Sequence, residues 1–238
     1  ESDAFYNCAK LSEIIFDPFS TLIQENAFNN CECDKHVIIN TEQTTINEHI
    51  VQQLFENISN ITKISISSTI TNIEASSFSN CTNLVDIEIP SSVTYIGKSA
   101  FRKCDSLQAI KIPSSMTVIE SSTFFECSSL SSVKIPPSIT TIKSSAFRRC
   151  LLLDNLFIPF SVISIESSSF FGCSSLSTVV LPSSLTKIES FAFSKCSSLS
   201  SIEIPSSVTL IESSAFYECL SLSSLKIPSS VLFMGAAA

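Results

Sequence analysis

Ile89-Pro90-Ser91-Ser92-Val93, followed by Ala100-Phe101-Arg102-Lys103-Cys104, is the phrase that decides how this chain folds. It returns every 23 residues. Proline falls at Pro90, Pro113, Pro136, Pro159, Pro182, Pro205 and Pro228. Phenylalanine falls at Phe78, Phe101, Phe124, Phe147, Phe170, Phe193 and Phe216, and cysteine at Cys81, Cys104, Cys127, Cys150, Cys173, Cys196 and Cys219. A fixed period of this length marks a solenoid, in which each coil buries its apolar residues against its neighbours. The period speaks to architecture far more than to ligand, because the recurring residues are those that hold coils together.

One coil explains its own shape. From Phe78 the apolar places are Phe78, Cys81, Leu84, Ile87, Ile89, Val93 and Ile96, with the small Ala100 before the next Phe. Ile87 and Ile89 alternate with Asp86 and Glu88, the period-two pattern of a half-buried strand. Pro90 ends that strand, having no N–H to donate and holding Ile89 extended. Val93-Thr-Tyr-Ile96 alternates again and predicts a second short strand. Ser-Ala-Phe-x-x-Cys is too short for a stable helix of its own and predicts a helical or 3₁₀ turn that plugs Phe into the core. Residues Ile87, Ile110, Val133, Leu156, Val179, Ile202 and Leu225 are expected to share one inward column.

The pattern extends, degenerately, to the start of the chain. Phe5 and Cys8, Phe28 and Cys31, and Phe55 and Ile58 hold the same two places. Phe28 to Phe55 is four residues too long, which predicts an insertion near 40–49, bulging as a loop. The expected organisation is a single array over 1–238 of about ten coils, degenerate over 1–77 and regular over 78–238. Val231-Leu-Phe-Met-Gly235 lines up with Val93-Thr-Tyr-Ile-Gly97, and neither end supplies a polar cap. The chain is therefore expected to be a segment of a longer array, with end-to-end or self-association of segments as an alternative.

The phrase L-x-x-I-x-I-P-x-S-V-x-x-I-x-x-x-A-F-x-x-C resembles the BspA-like class of leucine-rich repeat. It is met nearly letter for letter over Leu107 to Cys127, Leu176 to Cys196 and Leu199 to Cys219. Asp34 stands where Leu belongs, and Asn40 and Ser67 where Pro belongs. The resemblance implies a curved right-handed solenoid with a parallel sheet on the concave side. It also implies the work of adhesins and protein-binding scaffolds, often at cell surfaces.

Composition narrows the function classes. The net charge of −8 and pI near 4.8 argue against a nucleic-acid footprint and against docking on an anionic membrane. No apolar run approaches the roughly 20 residues needed to cross a bilayer, so no membrane insertion is expected. The cysteine ladder reads as buried, reduced thiols serving as small apolar groups. Cys31-Glu-Cys33-Asp-Lys-His36 has metal-like letters but not the spacing of a zinc knuckle, so no metal or other cofactor is expected. Two histidines, His36 and His49, have no partner phrase for a nucleophile. The three glycines form no phosphate-cradling loop. Glu120, Glu166, Glu189 and Glu212 recur because the coil recurs, and serine is attributed to turns. An enzyme is not expected.

Two readings remain, a recognition module presenting its sheet to a protein ligand and an architectural rod within a larger assembly. The first predicts a concentrated patch of unusual surface residues. One coil supplies it. Phe157 and its neighbour Val180 are apolar at places that are polar in most other coils, with Lys111 and Lys134 beside them. The same coil carries Leu151 and Leu152 in place of Ser-Ser, and Phe160 after its proline, the last three expected on an edge of the coil. Contiguous apolar surface marks contacts, so these seven residues form the candidate partner-binding set.

Overall fold

A computed structural model describes residues 4–19, 27–28, 31, 34–57 and 60–238. The chain winds as a parallel β-solenoid with little helix. The first strands of the coils line one long face in three hydrogen-bonded blocks: Glu13–Phe16, Lys35–Ile39, Ile61–Ile66 and Asp86–Glu88; Ala109–Lys111 and Ser132–Lys134; and Asn155–Phe157, Thr178–Val180 and Ser201–Glu203. Second strands of two residues form a parallel companion ladder, including Tyr95–Ile96, Thr141–Ile142 and Leu210–Ile211. Register follows the period: Ile64 pairs Ile87, Ile110 pairs Val133, and Leu156 pairs Val179. A slip of one residue would turn the whole inward row to solvent, so the apolar column enforces this register.

Nine long strands form among the described residues rather than the ten expected. The segment around Leu225 makes no ladder, and Leu225 is half-buried. In the rest of the column Ile87, Ile110, Leu156, Val179 and Ile202 are buried and Val133 is partly so.

The Ser-Ala-Phe-x-x-Cys segment closes through i to i+3 bonds, such as Cys81 N–H to the Phe78 carbonyl, as a 3₁₀ turn would. It does not propagate as a helix, because two residues per coil are left-handed. Ser76 and Asn80, Ser99 and Lys103, Ser122 and Glu126, and Ser145 and Arg149 all have φ of 57–63°. Alternating handedness aims backbone N–H groups at the next coil. Ser76, Phe78 and Asn80 donate to the carbonyls of Lys98, Ala100 and Arg102, at 2.7–3.0 Å. The turn is thus a third hydrogen-bonded ladder, which answers for backbone groups that burial would otherwise orphan.

Side chains stack in the same register. Phe78 through Phe216 form an offset parallel stack with ring centroids 5.2–5.9 Å apart and planes within 12°. Each ladder cysteine does more than fill space. Cys104, Cys127, Cys150, Cys173, Cys196 and Cys219 donate Sγ–H to the carbonyl of the Phe one coil earlier, at 3.0–3.2 Å. Burial pushes the thiols of Cys81 and Cys173 up to about 12. Serine also has a specific task. The serine two residues after the proline donates back one coil in several coils, as Ser92 does to Ile70 and Ser161 to Ile139, both at 2.7 Å, while the Ser138 and Ser230 hydroxyls find no partner. Glu166, Glu189 and Glu212 each accept from the N–H and hydroxyl of one serine in the preceding coil. Gly97 sits where a Cβ would meet the Ala75 nitrogen at 2.5 Å, so close coil approach requires glycine there.

The insertion is placed differently from the expectation. Val37 pairs Ile64 and Ile46 pairs Ile73, both 27 apart, so the four extra residues lie between Ile46 and Ile64. They are not a loop. They are taken up by an α-helix, Glu48–Asn57, capped by Asn47, whose Oδ1 accepts from Ile50 N–H at 3.1 Å. Ile50, Val51 and Leu54 are buried in place of the Phe plug, while Phe55 is only partly buried. Ile58, expected at the cysteine place, lies outside the described residues, as does Cys33. Next to Asp34 the pairing shifts, with Thr62 the extra residue on the partner strand: Asp34 is exposed, and Lys35 turns inward instead and donates to the Cys31 carbonyl at 2.5 Å.

Candidate functional site

Strand parity fixes what the long sheet shows to solvent. One outward column runs Ser65, Glu88, Lys111, Lys134, Phe157, Val180, Glu203. Its ladder bonds lapse twice, between the strands of Glu88 and Lys111 and between those of Lys134 and Phe157, dividing the sheet into three blocks. At the first lapse lies an open groove of about 450 Å³, lined by Asp86, Glu88, Lys111 and Lys134 with Ile87 and Ile110 at its floor. Lys111 and Lys134 are exposed register neighbours with no ion-pair partner among the described residues.

The groove runs toward the apolar residues. Phe157 pairs Val180 in register, and each is more than half exposed. Phe160, expected on an edge apart from Phe157, instead meets it: the rings stand 6.1 Å apart at 88°, edge to face. Pro159 turns the chain so that a side chain beyond the strand folds back beside the last outward residue. Leu151 and Leu152 are exposed, but the structure does not bring them to this cluster. Leu151 lines a separate hollow of about 320 Å³ with Lys103, Asp105, Glu126 and Arg149.

Ile163 is a further member that parity alone does not single out. It is 59% exposed, at a place held by Thr71, Thr94, Thr117, Thr140, Thr186 and Thr209 in other coils. Several of those threonines donate to the previous coil's threonine carbonyl, as Thr94 does to Thr71. Reading the 23-residue columns vertically would have exposed the substitution. Phe157, Phe160 and Ile163 therefore run around the corner from the long sheet to the second one, while Leu156 before them and Ile158 and Val162 between them stay buried.

The other end of the sheet is polar and internally paired. His36 Nε2 lies 2.8 Å from Ser65 Oγ and its Nδ1 3.5 Å from Glu13. A histidine thus does meet a serine and a carboxylate, which the sequence did not reveal. The serine is nevertheless not activated. Its single proton goes to Glu88 Oε2 at 2.7 Å, so His36 Nε2 must be the donor in their contact and cannot act as a base. Lys63 bonds Glu88 at 2.5 Å and approaches Asp86 at 3.6 Å. Hydrogen bonds from Lys63 and then Ser65 hold the Glu88 carboxyl below its usual range. No group of three or more histidine, cysteine or acidic residues among the described residues is arranged to hold a metal.

Known proteins share this architecture. The BspA type leucine-rich repeat region matches residues 1–52, 48–173 and 141–238, in six copies. The solved leucine-rich repeat protein of T. pallidum, TpLRR, is 28% identical, with 68% of this chain and 78% of that one aligned at a TM-score of 0.66. One from Bacteroides ovatus is 24% identical over 99% of this chain and 77% of its own, at 0.55. The pneumococcal vaccine antigen PcpA is 20% identical over 94% and 71%, at 0.51, a likeness of fold. None of these three bears an enzyme's name. No curated protein is a significant match. With the repeat matched along its length and the nine-rung parallel solenoid it predicts in place, the chain belongs to the BspA-type leucine-rich repeat family.

Proposed function

We propose that this chain is a non-enzymatic protein-binding scaffold, and that its ligand docks where the lysine groove meets the Phe157 coil. The family is one of repeat scaffolds that generally mediate protein interactions, which supports the class of function. The observation that carries the location is the contrast within a single coil. Phe157, Phe160 and Ile163 are 59–64% exposed while the inward residues Leu156, Ile158 and Val162 are 0–4% exposed. Packing therefore does not ask for apolar side chains at those three places. Aromatic anchors flanked by charge are the usual composition of an interface centre. Concentration on one coil favours a recognition module over a rod contacted evenly along its length, and adhesion to a cell-surface protein is the form of binding this geometry suits.

The test is substitution on the intact chain. Phe157→Glu removes partner binding and leaves the melting temperature nearly unchanged, because its ring is outside the core. Lys63→Glu, at the paired polar end, leaves binding intact. If Phe157→Glu binds normally while Lys63→Glu does not, the face is misplaced.

A further inference from the structure

The turn side of the coils carries a second surface, independent of the Phe157 face. In four successive coils the residue after the core Phe alternates: Arg102, Phe125, Arg148, Phe171. The four form one continuous stack. The Arg102 guanidinium lies 5.2 Å from the Phe125 ring, Arg148 lies 5.8 Å from the same ring, and Arg148 also lies 4.3 Å from Phe171. Phe171 is further flanked by Lys195 at 5.8 Å and by Phe191 at 6.4 Å. Phe191 takes a φ of 59° at a place where the neighbouring coils have serine, and is 41% exposed.

Charge on this ridge is not balanced internally. Glu126 is engaged by Lys103 at 3.9 Å and by Arg149 at 3.4 Å. Arg102 and Arg148 have no carboxylate partner among the described residues, and the Arg148 Nε finds no acceptor. A guanidinium packed on an aromatic ring has restricted freedom, and its fork of N–H donors matches a carboxylate. In a chain of net charge −8, two such unpaired forks in one line form a local cationic track.

The legs of 5.2 and 5.8 Å put the two guanidiniums at most about 11 Å apart, a span that Glu side chains one polyproline II turn apart, roughly 9.3 Å, can bridge. We propose that the Arg102–Phe125–Arg148–Phe171 ridge binds an acidic polyproline II segment of a protein, lying along the stack with a carboxylate at every third residue. Carboxylates meet Arg102 and Arg148, and the intervening prolines lie on the half-buried Phe125 and Phe171. Such a segment is ordered before it binds, so little entropy is lost on docking.

The test uses the intact chain and a fluorescent dodecamer of the repeat Glu-Pro-Pro, read by anisotropy at low and moderate salt. The peptide binds saturably, at least tenfold tighter than Lys-Pro-Pro or Glu-Gly-Ser dodecamers. Arg102→Gln with Arg148→Gln lowers affinity at least tenfold. Arg148→Lys, which keeps the charge and loses the fork, lowers it severalfold at an unchanged melting temperature. Lys111→Gln with Lys134→Gln, on the other face, has no effect. No binding, equal binding of the Glu-Gly-Ser peptide, tighter binding of a sulfated polysaccharide than of the peptide, or full affinity in the double arginine variant would each overturn the proposal. Because the arginine variants leave the Phe157 face untouched, failure here leaves that reading standing.

Discussion

The coils before Phe78 and those after it solve one problem in two ways. After Phe78 each coil is closed by an identical turn, and stability comes from columns: rings on rings, thiols on carbonyls, serines on carbonyls. Before Phe78 the columns break. A ten-residue helix replaces one turn, Lys35 takes an inward place, and Phe55 sits outside the ring stack. Yet the strands before Phe78 pair without interruption, from Glu13–Phe16 to Asp86–Glu88, whereas the long-strand ladder of the regular coils lapses twice. The inward apolar column is thus what both regions keep. The Phe and Cys columns are one way of sealing the third side, and a capped amphipathic helix is another.

Removing a ring from each region sharpens this contrast. Phe147→Ala empties a fully buried site with stacked neighbours on both sides, at 5.3 and 5.5 Å. It should cost about 3–5 kcal/mol, seen as a lower denaturation midpoint. Phe55→Ala, at a partly buried helical place, should cost less than half of that. Equal losses would mean that the stack adds nothing special to the regular coils.

The thiols come next. Cys150→Val keeps the volume roughly and deletes the donor to Phe124, leaving that carbonyl with one partner fewer. The cost should be about 1–2 kcal/mol. The thiol ladder also predicts an alkaline limit. Where the folded thiol titrates above the unfolded one, the unfolded state holds fewer protons, and stability falls as pH rises. The contribution of Cys81 and Cys173 is complete below the ordinary thiol range, near pH 8.5, and is lost as pH climbs toward about 12. Denaturant midpoints measured from pH 8 upward should fall, and less so in Cys81→Ala/Cys173→Ala. Alkylation of the native chain should label the exposed Cys8 and spare Cys104 to Cys196 until the chain is unfolded.

The smallest effect concerns the edge carboxylates. Glu166→Ala removes the acceptor for the Ser144 N–H and hydroxyl and should cost about 1 kcal/mol, with no change in any binding. A loss of partner binding in this variant would mean that the column serves recognition rather than coil joining.

Much of this was legible because each regular coil meets the same surroundings, so a 23-residue alignment reads burial directly. Ile87 points inward for the reason that Leu156 does. Strand parity likewise put Phe157 and Val180 on the surface. The helix was missed because the letters of Asn40 to Ile46 fit the repeat poorly while their backbone follows it, with Ile46 as buried as Ile96. The misfit lay in the next ten residues, where Asn47 caps and Ile50, Val51 and Leu54 recur at helical spacing. The contact of Phe160 with Phe157 was not legible, because it depends on how Pro159 turns the chain. Nor were the donor roles of cysteine and serine, which depend on carbonyls 22 to 26 residues away.

The central claim is that the Phe157 coil, and not the paired polar end of the same sheet, is where a protein partner sits. Placing a photo-crosslinking amino acid at Phe157, and separately at Lys63, in the cells that make the protein tests it directly. A discrete crosslinked adduct of one partner from the Phe157 position, absent from the Lys63 position, is the predicted result. Equal adducts at both positions, or an adduct at Lys63 alone, would contradict it.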